Sequence, residues 1–238
     1  MTTSARLDVV ALDAPDIERL ASFYAALAGW QTASKDTDWI VLRTPDGQQV
    51  AFQLAPDYVA PRWPGQERPQ QVHLDLLVDG YQDAAERAVA LGATRLADGA
   101  TWVTLADPAG HPFDVCQKDG AGPVMDLFGL TIDAPDATAL GAFYAGLLGM
   151  EVSYSGPEGA LITGAGRNVM FQQVDDYSAP QWPDPDRPQQ GHLDIAVDDL
   201  DAGEAQALGL GAVRLAGGGA TFRVFADPAG HPFCLTQS

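Results

Sequence analysis

The chain begins with a short run of mostly apolar positions, "LDVVALDAP" from Leu7, that predicts a strand. The spacing then changes. Ile17, Leu20, Ala21, Tyr24 and Leu27 fall at i, i+3, i+4, i+7 and i+10 and draw one apolar stripe along a helix. Asp16 stands at the positive end of that helix, and Gly29 follows as its C-cap. Extended segments come next at "DWIVLRT" and "QQVAFQLA". A second unit repeats the scheme, with "VHLDLLVDG" as strand, "YQDAAERAVALGA" as helix, and strands around "TWVTLAD" and "HPFDVCQ". The order β-α-β-β-β is thus written twice by Gln117.

The same text then returns. "FYAALAGW" at Phe23 reappears as "FYAGLLGM" at Phe143, 120 positions on, and "LADPAGHPFDVCQ" at Leu105 reappears as "FADPAGHPFCLTQ" at Phe225, again 120 on. "PRWPGQERPQQVHLDLLVDG" at Pro61 reappears at Pro180 with a shift of 119, so a one-residue gap lies between Gly29 and Phe52. The chain reads as a tandem duplication of two-module halves. The Gly- and Pro-bearing join "KDGAGPV" sets the boundary near Gly120, giving domains at 1–119 and 120–238.

The charge narrows the partners. Acidic residues number 32 against 13 basic ones, for a net charge of −19. Nucleic acids and anionic bilayers are held by cationic contacts, so neither is expected as a partner. No stretch reads as a signal peptide or a bilayer span. Two cysteines at non-equivalent positions, Cys116 and Cys234, predict reduced thiols in a cytoplasm.

Alternation along the strands separates core from cavity. In "VHLDLLVD", Leu74, Leu76 and Val78 share one face, while His73, Asp75 and Leu77 share the other. By the same rule Gln53 opposes Phe52 and Leu54, and Asp114 opposes Phe113 and Val115. The second half supplies Gln172, His192, Asp194 and Cys234. His111 and His231 lie inside the repeated DPAGHPF turn and are expected to be half-exposed, bonding local backbone. The Pro-rich segments joining the modules of each half carry Tyr58, Trp63 and Arg68, and Tyr177, Trp182 and Arg187. Aromatics on a stiff loop at a cavity mouth suit flat, apolar ligands; the competing reading has the tryptophans plug gaps between modules. Cys234, which replaces Asp114 in the second copy, reads as small apolar filler.

The "FYxxLxG" helix and the "DPxGxxx" turn before the last strand, once per half, resemble the vicinal-oxygen-chelate superfamily of glyoxalases, bleomycin-resistance proteins and extradiol dioxygenases. The resemblance implies an α+β fold of tandem glyoxalase-like domains, each of two βαβββ modules forming a curled mixed sheet around a cavity. It also implies a four-position metal site. Carried over within each half, those positions are Val9, Gln53, His73 and Asp114, then Gly129, Gln172, His192 and Cys234. Val9 and Gly129 have no ligating side chain, so no metal or other cofactor is expected. The leading expectation is a metal-free small-molecule-binding protein, monomeric, with its two domains paired within the chain. Its ligand contacts would be Gln53, Asp75, Tyr58, Trp63, Gln172, His192, Asp194, Tyr177, Trp182 and Cys234. The alternative is a lyase, isomerase or dioxygenase-like enzyme using His73 and Asp114, with or without a divalent metal. A third reading, a domain kept only for protein association, fits poorly with polar cavity residues in both halves. Asp114 is expected to make His73 titrate at higher pH than His192.

Overall fold

The computed structural model describes residues 4–184 and 187–238; Pro185 and Asp186 of the second Pro-rich segment lie outside them. The first module comprises β1 (Ala5–Ala14), α1 (Ile17–Ala28), β2 (Gln31–Lys35), β3 (Trp39–Arg43) and β4 (Gln49–Leu54). The second comprises β5 (Val72–Val78), α2 (Tyr81–Ala90), β6 (Thr94–Asp98), β7 (Trp102–Ala106) and β8 (Pro112–Gln117). The third comprises β9 (Asp126–Ala134), α3 (Ala137–Leu148), β10 (Glu151–Gly156), β11 (Gly159–Gly164) and β12 (Arg167–Gln173). The fourth comprises β13 (Gly191–Val197), α4 (Leu200–Leu210), β14 (Val213–Gly218), β15 (Phe222–Ala226) and β16 (Pro232–Gln237). Among the described residues no helix is long and apolar enough to cross a membrane.

Local chemistry sets the helix ends. The Asp16 carboxylate accepts the Arg19 N–H at 3.0 Å and Gly29 closes α1 at φ 77°. Asp136 and Gly149 do the same for α3. The shift returns from 119 at Val78 to 120 at Leu105, a second gap of opposite sense, and the gap between Gly29 and Phe52 falls in a hairpin turn. Arg43 pairs with Gln49 across residues 44–48, whereas Thr163 pairs with Asn168 across residues 164–167.

The modules combine across the duplication. One eight-stranded mixed sheet has the order β14-β15-β16-β13-β1-β4-β3-β2, joining the first and fourth modules. The other, β10-β11-β12-β9-β5-β8-β7-β6, joins the third and second. The seams are the antiparallel pairs β1–β13 and β5–β9. Within a half, the modules meet instead through the two repeated motifs. Phe23 and Tyr24 of α1 pack edge-on against Phe113, each with ring centroids 5.8 Å apart, and the Tyr24 hydroxyl donates to Asp107 at 3.1 Å. Tyr144 repeats that bond to Asp227 at 2.9 Å. One apolar core runs continuously through all four modules.

The DPAGHPF turn is held as its sequence suggests, with Asp107 accepting the Ala109 and His111 N–H groups at 2.8 and 3.0 Å and Gly110 at φ 96°. Its histidines differ from expectation. His111 is 1 % exposed and its Nε2 lies 3.2 Å from the Gln190 carbonyl of the other half. His231 is also buried, with Nε2 2.7 Å from the Asp133 carbonyl. The turn faces the partner half rather than solvent, so both imidazoles become cross-half ties. Between them, Gln71 and Gln190 clasp reciprocally: each side-chain oxygen accepts the other's backbone N–H, at 2.9 and 2.8 Å, and each amide donates to a proline carbonyl.

Candidate functional site

Each sheet turns one face to the helices and core and carries its polar strand positions on the other. On the first sheet the register sets Ala11 opposite His192, Val9 opposite Asp194, Asp194 beside Cys234, and Asp13 beside Gln53. On the second it sets His73 opposite Thr131, Asp75 opposite Gly129, Asp75 beside Asp114, and Asp133 beside Gln172. The within-half assignment of the four family positions is therefore corrected. Gln53 and Val9 belong with His192 and Cys234, and Gln172 and Gly129 belong with His73 and Asp114. The strand seams run between halves, so each site takes one wall from each.

The first sheet carries a trough with two contiguous lobes. One, of about 390 Å³, is lined by Trp39, Gln53, His192, Asp194, Phe222 and Cys234, among others. The other, of about 290 Å³, shares Gln53, His192, Phe222 and Cys234 and adds Trp182 and Gln189. Val9, Ala11, Val41 and Ala51 make an apolar floor beside Trp39. The Trp39 ring sits 6.0 Å from the His192 ring. The Gln53 side-chain oxygen is buried and accepts no hydrogen bond among the described residues. His192 Nε2 lies 3.5 Å from Asp194 and Nδ1 lies 4.0 Å from Asp13. Burial opposes charging of this imidazole, but the bond and charge of Asp194 and the charge of Asp13 outweigh it and raise its pKa. Burial, then Asp194, pushes the Cys234 thiol upward, so it is no ready nucleophile.

The second sheet is polar where the first is aromatic. Gly159 stands opposite Gln172, where Trp39 stands opposite Gln53, so the Trp39 indole has no counterpart on the second sheet. His73, Asp75 and Asp114 offer ligand atoms all within 4.8 Å of one another. Asp75 accepts the Thr131 hydroxyl at 2.6 Å, yet burial pushes it up to about 7. Burial also raises Asp114, with His73 and Thr104 opposing and Asp75 adding to the rise. Burial lowers His73, only partly offset by Asp114. These directions run against the expected order of the two histidines, because burial of the His73 ring outweighs the charge of Asp114 while Asp194 and Asp13 outweigh the burial of His192.

Several contributors were not anticipated from the sequence. Gln70 donates to Asp133 at 3.1 Å and lies 3.2 Å from His73 Nδ1; Gln189 donates to Asp13 at 2.8 Å and lies 3.4 Å from His192 Nδ1. The repeated "PQQ" was the available signal: its first Gln orients a cavity histidine and its second closes the clasp. Trp39 and Phe222 were legible only as strand residues. Trp63 and Trp182 are half-buried; Trp63 lines a cavity with Gln70, Asp133 and Gln172, the last itself exposed. Tyr58 turns inward, its ring 4.9 Å from that of His111. The Tyr177 hydroxyl donates to the Ala229 carbonyl at 2.8 Å.

A profile described as glyoxalase-like domain matches residues 9–116 and again 129–236. Comparison with curated proteins gives no match. Among solved structures, glyoxalase I from Zea mays is 17% identical with a TM-score of 0.68, covering 99% of this chain and 93% of that one. A putative dioxygenase from Bacillus subtilis subsp. subtilis str. 168 is 12% identical with a TM-score of 0.64, covering 99% and 86%.

Proposed function

The chain belongs to the glyoxalase-like domain family, carrying that domain twice, and from that premise we propose that it binds a flat aromatic or polycyclic small molecule in the trough of the first sheet. One observation carries the reading: Trp39, Trp182, Phe222 and Gln53 line one partly apolar trough, and the Gln53 side-chain oxygen has no hydrogen-bond partner among the described residues. The rings supply contact area and stacking, and the oxygen selects a ligand with an N–H or O–H to donate. Titration with a panel of neutral polycyclic compounds, followed by tryptophan fluorescence, tests it. Saturable 1:1 quenching is expected, weakened at least about tenfold, or roughly 1.4 kcal/mol, by Trp39→Ala or Gln53→Leu. Absence of saturable binding across the panel would sink the reading. The reading includes a monomer in the cytoplasm, in keeping with two free cysteines.

A second reading, acid–base or metal-assisted chemistry at the second sheet, is favoured by the His73–Asp75–Asp114 cluster. The residues fit a hard divalent cation in part. Three donors converge, while Gly129 offers none, since a Cβ there would lie 2.5 Å from the Asn168 carbonyl oxygen. When bound, such an ion supplies Lewis acidity toward a substrate oxygen. Asp75, pushed up to about 7, takes up and returns a proton near neutrality, and Thr131 fixes its orientation. The first sheet gathers a different set, His192, Asp194 and Cys234, whose sulfur suits a softer ion than a hard divalent cation. Manganese titration followed by electron paramagnetic resonance tests the metal form: stoichiometric binding lost in Asp114→Asn supports it, and its absence leaves acid–base chemistry alone.

A further inference from the structure

At the end of β1, adjoining the trough, lies a further cavity of about 180 Å³ lined by Asp13, Tyr58, Trp182 and Pro183, together with the exposed Asp57 and Asp184. It shares only Trp182 and Gln189 with the trough, and among the described residues no Lys, Arg or His lines it. Asp13 is 3 % exposed. Its Oδ2 accepts from Gln189 at 2.8 Å, while its Oδ1 is buried with no hydrogen-bond partner among the described residues, 4.0 Å from His192 Nδ1. The Tyr58 hydroxyl, on the same cavity, is buried and unpartnered in the same sense.

The duplication supplies an internal contrast. Tyr177, the counterpart of Tyr58, donates to Ala229 at 2.8 Å and lies 3.0 Å from His231 Nε2. Asp133, the counterpart of Asp13, accepts from Gln70 and leaves neither oxygen buried and unpartnered. A shared architectural need would have left both copies alike. The unsatisfied pair is confined to the first, at a wall that adds an indole, three prolines and two further carboxylates. A buried acceptor left unmade costs free energy unless something binds there.

We propose that this cavity binds the ammonium group of a small primary amine. The ammonium donates to Asp13 Oδ1 and to the Tyr58 oxygen, its positive charge faces the Trp182 ring, and its alkyl portion lies along Pro183 and Pro188. A hydrogen-bonding cation satisfies both orphaned oxygens at once, and the aromatic and pyrrolidine walls suit an organic ion over a hydrated inorganic one. Several non-hydrogen atoms fit, since one water needs only about 10–15 Å³ by the same measure. This inference does not rest on the aromatic-ligand reading, which is tested with uncharged compounds.

The experiment is a two-dimensional NMR titration of the full chain with n-propylammonium chloride at fixed ionic strength. 1-Propanol and magnesium chloride serve as parallel probes. Saturable shifts centred on the Trp182 indole N–H, weakened about tenfold or more in Asp13→Asn and in Tyr58→Phe, are the expected result. Tyr58→Phe keeps the ring against His111 and so preserves the test if the Asp13 variant misfolds. Asp133→Asn leaves the affinity unchanged. The proposal is overturned by equal binding of 1-propanol, by displacement with magnesium, by shifts spread over the acidic surface, or by affinity indifferent to both variants.

Discussion

The imidazole of His111 meets an acceptor at each nitrogen: Asp107 Oδ2 at 3.0 Å from Nδ1 and the Gln190 carbonyl at 3.2 Å from Nε2. Burial opposes its charge, but the charge and bond of Asp107, the charge of Asp13 and the carbonyl prevail and raise its pKa above the ordinary 6.5. A group raised on folding contributes stability that is fully present below its unfolded pKa and lost as pH rises through its folded one. The stability advantage of the wild type over His111→Gln, read from urea midpoints, is therefore expected to be roughly 1–3 kcal/mol at pH 6 and to shrink in alkaline buffer. An advantage that grows toward pH 9 would refute the charged tie. In the cavities, His192 is expected to titrate above His73 by NMR, the reverse of what Asp114 alone suggests. Residue identity marked both histidines as cavity-facing. It did not disclose how deeply the His73 ring would be buried, which is the larger influence on its titration.

The elements themselves were nearly all legible, because caps, apolar spacing and alternation are local properties. Asp16 and Gly29 bound α1 as read, and the strand faces of His73 and Asp114 follow the two-residue period. Glycines show where local reading stops. Gly191 begins β13 at the cross-half seam, and a Cβ there would lie 2.6 Å from the Ala11 carbonyl oxygen. A Cβ added at Gly209, in α4, would meet nothing within 4 Å. Gly191→Ala is expected to cost about 1–3 kcal/mol or more in denaturant melts. Gly209→Ala should gain roughly 0.5–1 kcal/mol from helix propensity. Equal effects would mean that the seam is slack.

At the level of the whole molecule, the sequence showed four modules but not their partners. A strand's alternation is satisfied equally well by either neighbouring copy, and the contacts that decide, the Gln71–Gln190 clasp and the buried His111 and His231, join residues 119, 79 and 98 positions apart. Cutting the Lys118–Val124 join is expected to leave both fragments together in size-exclusion chromatography, parting only in denaturant. Fragments that separate in native buffer would contradict the shared sheets. The exchange of modules has a further consequence in mass action. Each half completes the other as an intramolecular ligand, at an effective concentration on the order of millimolar for so short a tether. A second chain offers the same seam surfaces, so refolding at protein concentrations approaching that level will yield dimers that trade halves, each with both kinds of cavity intact and only the covalent path between them changed.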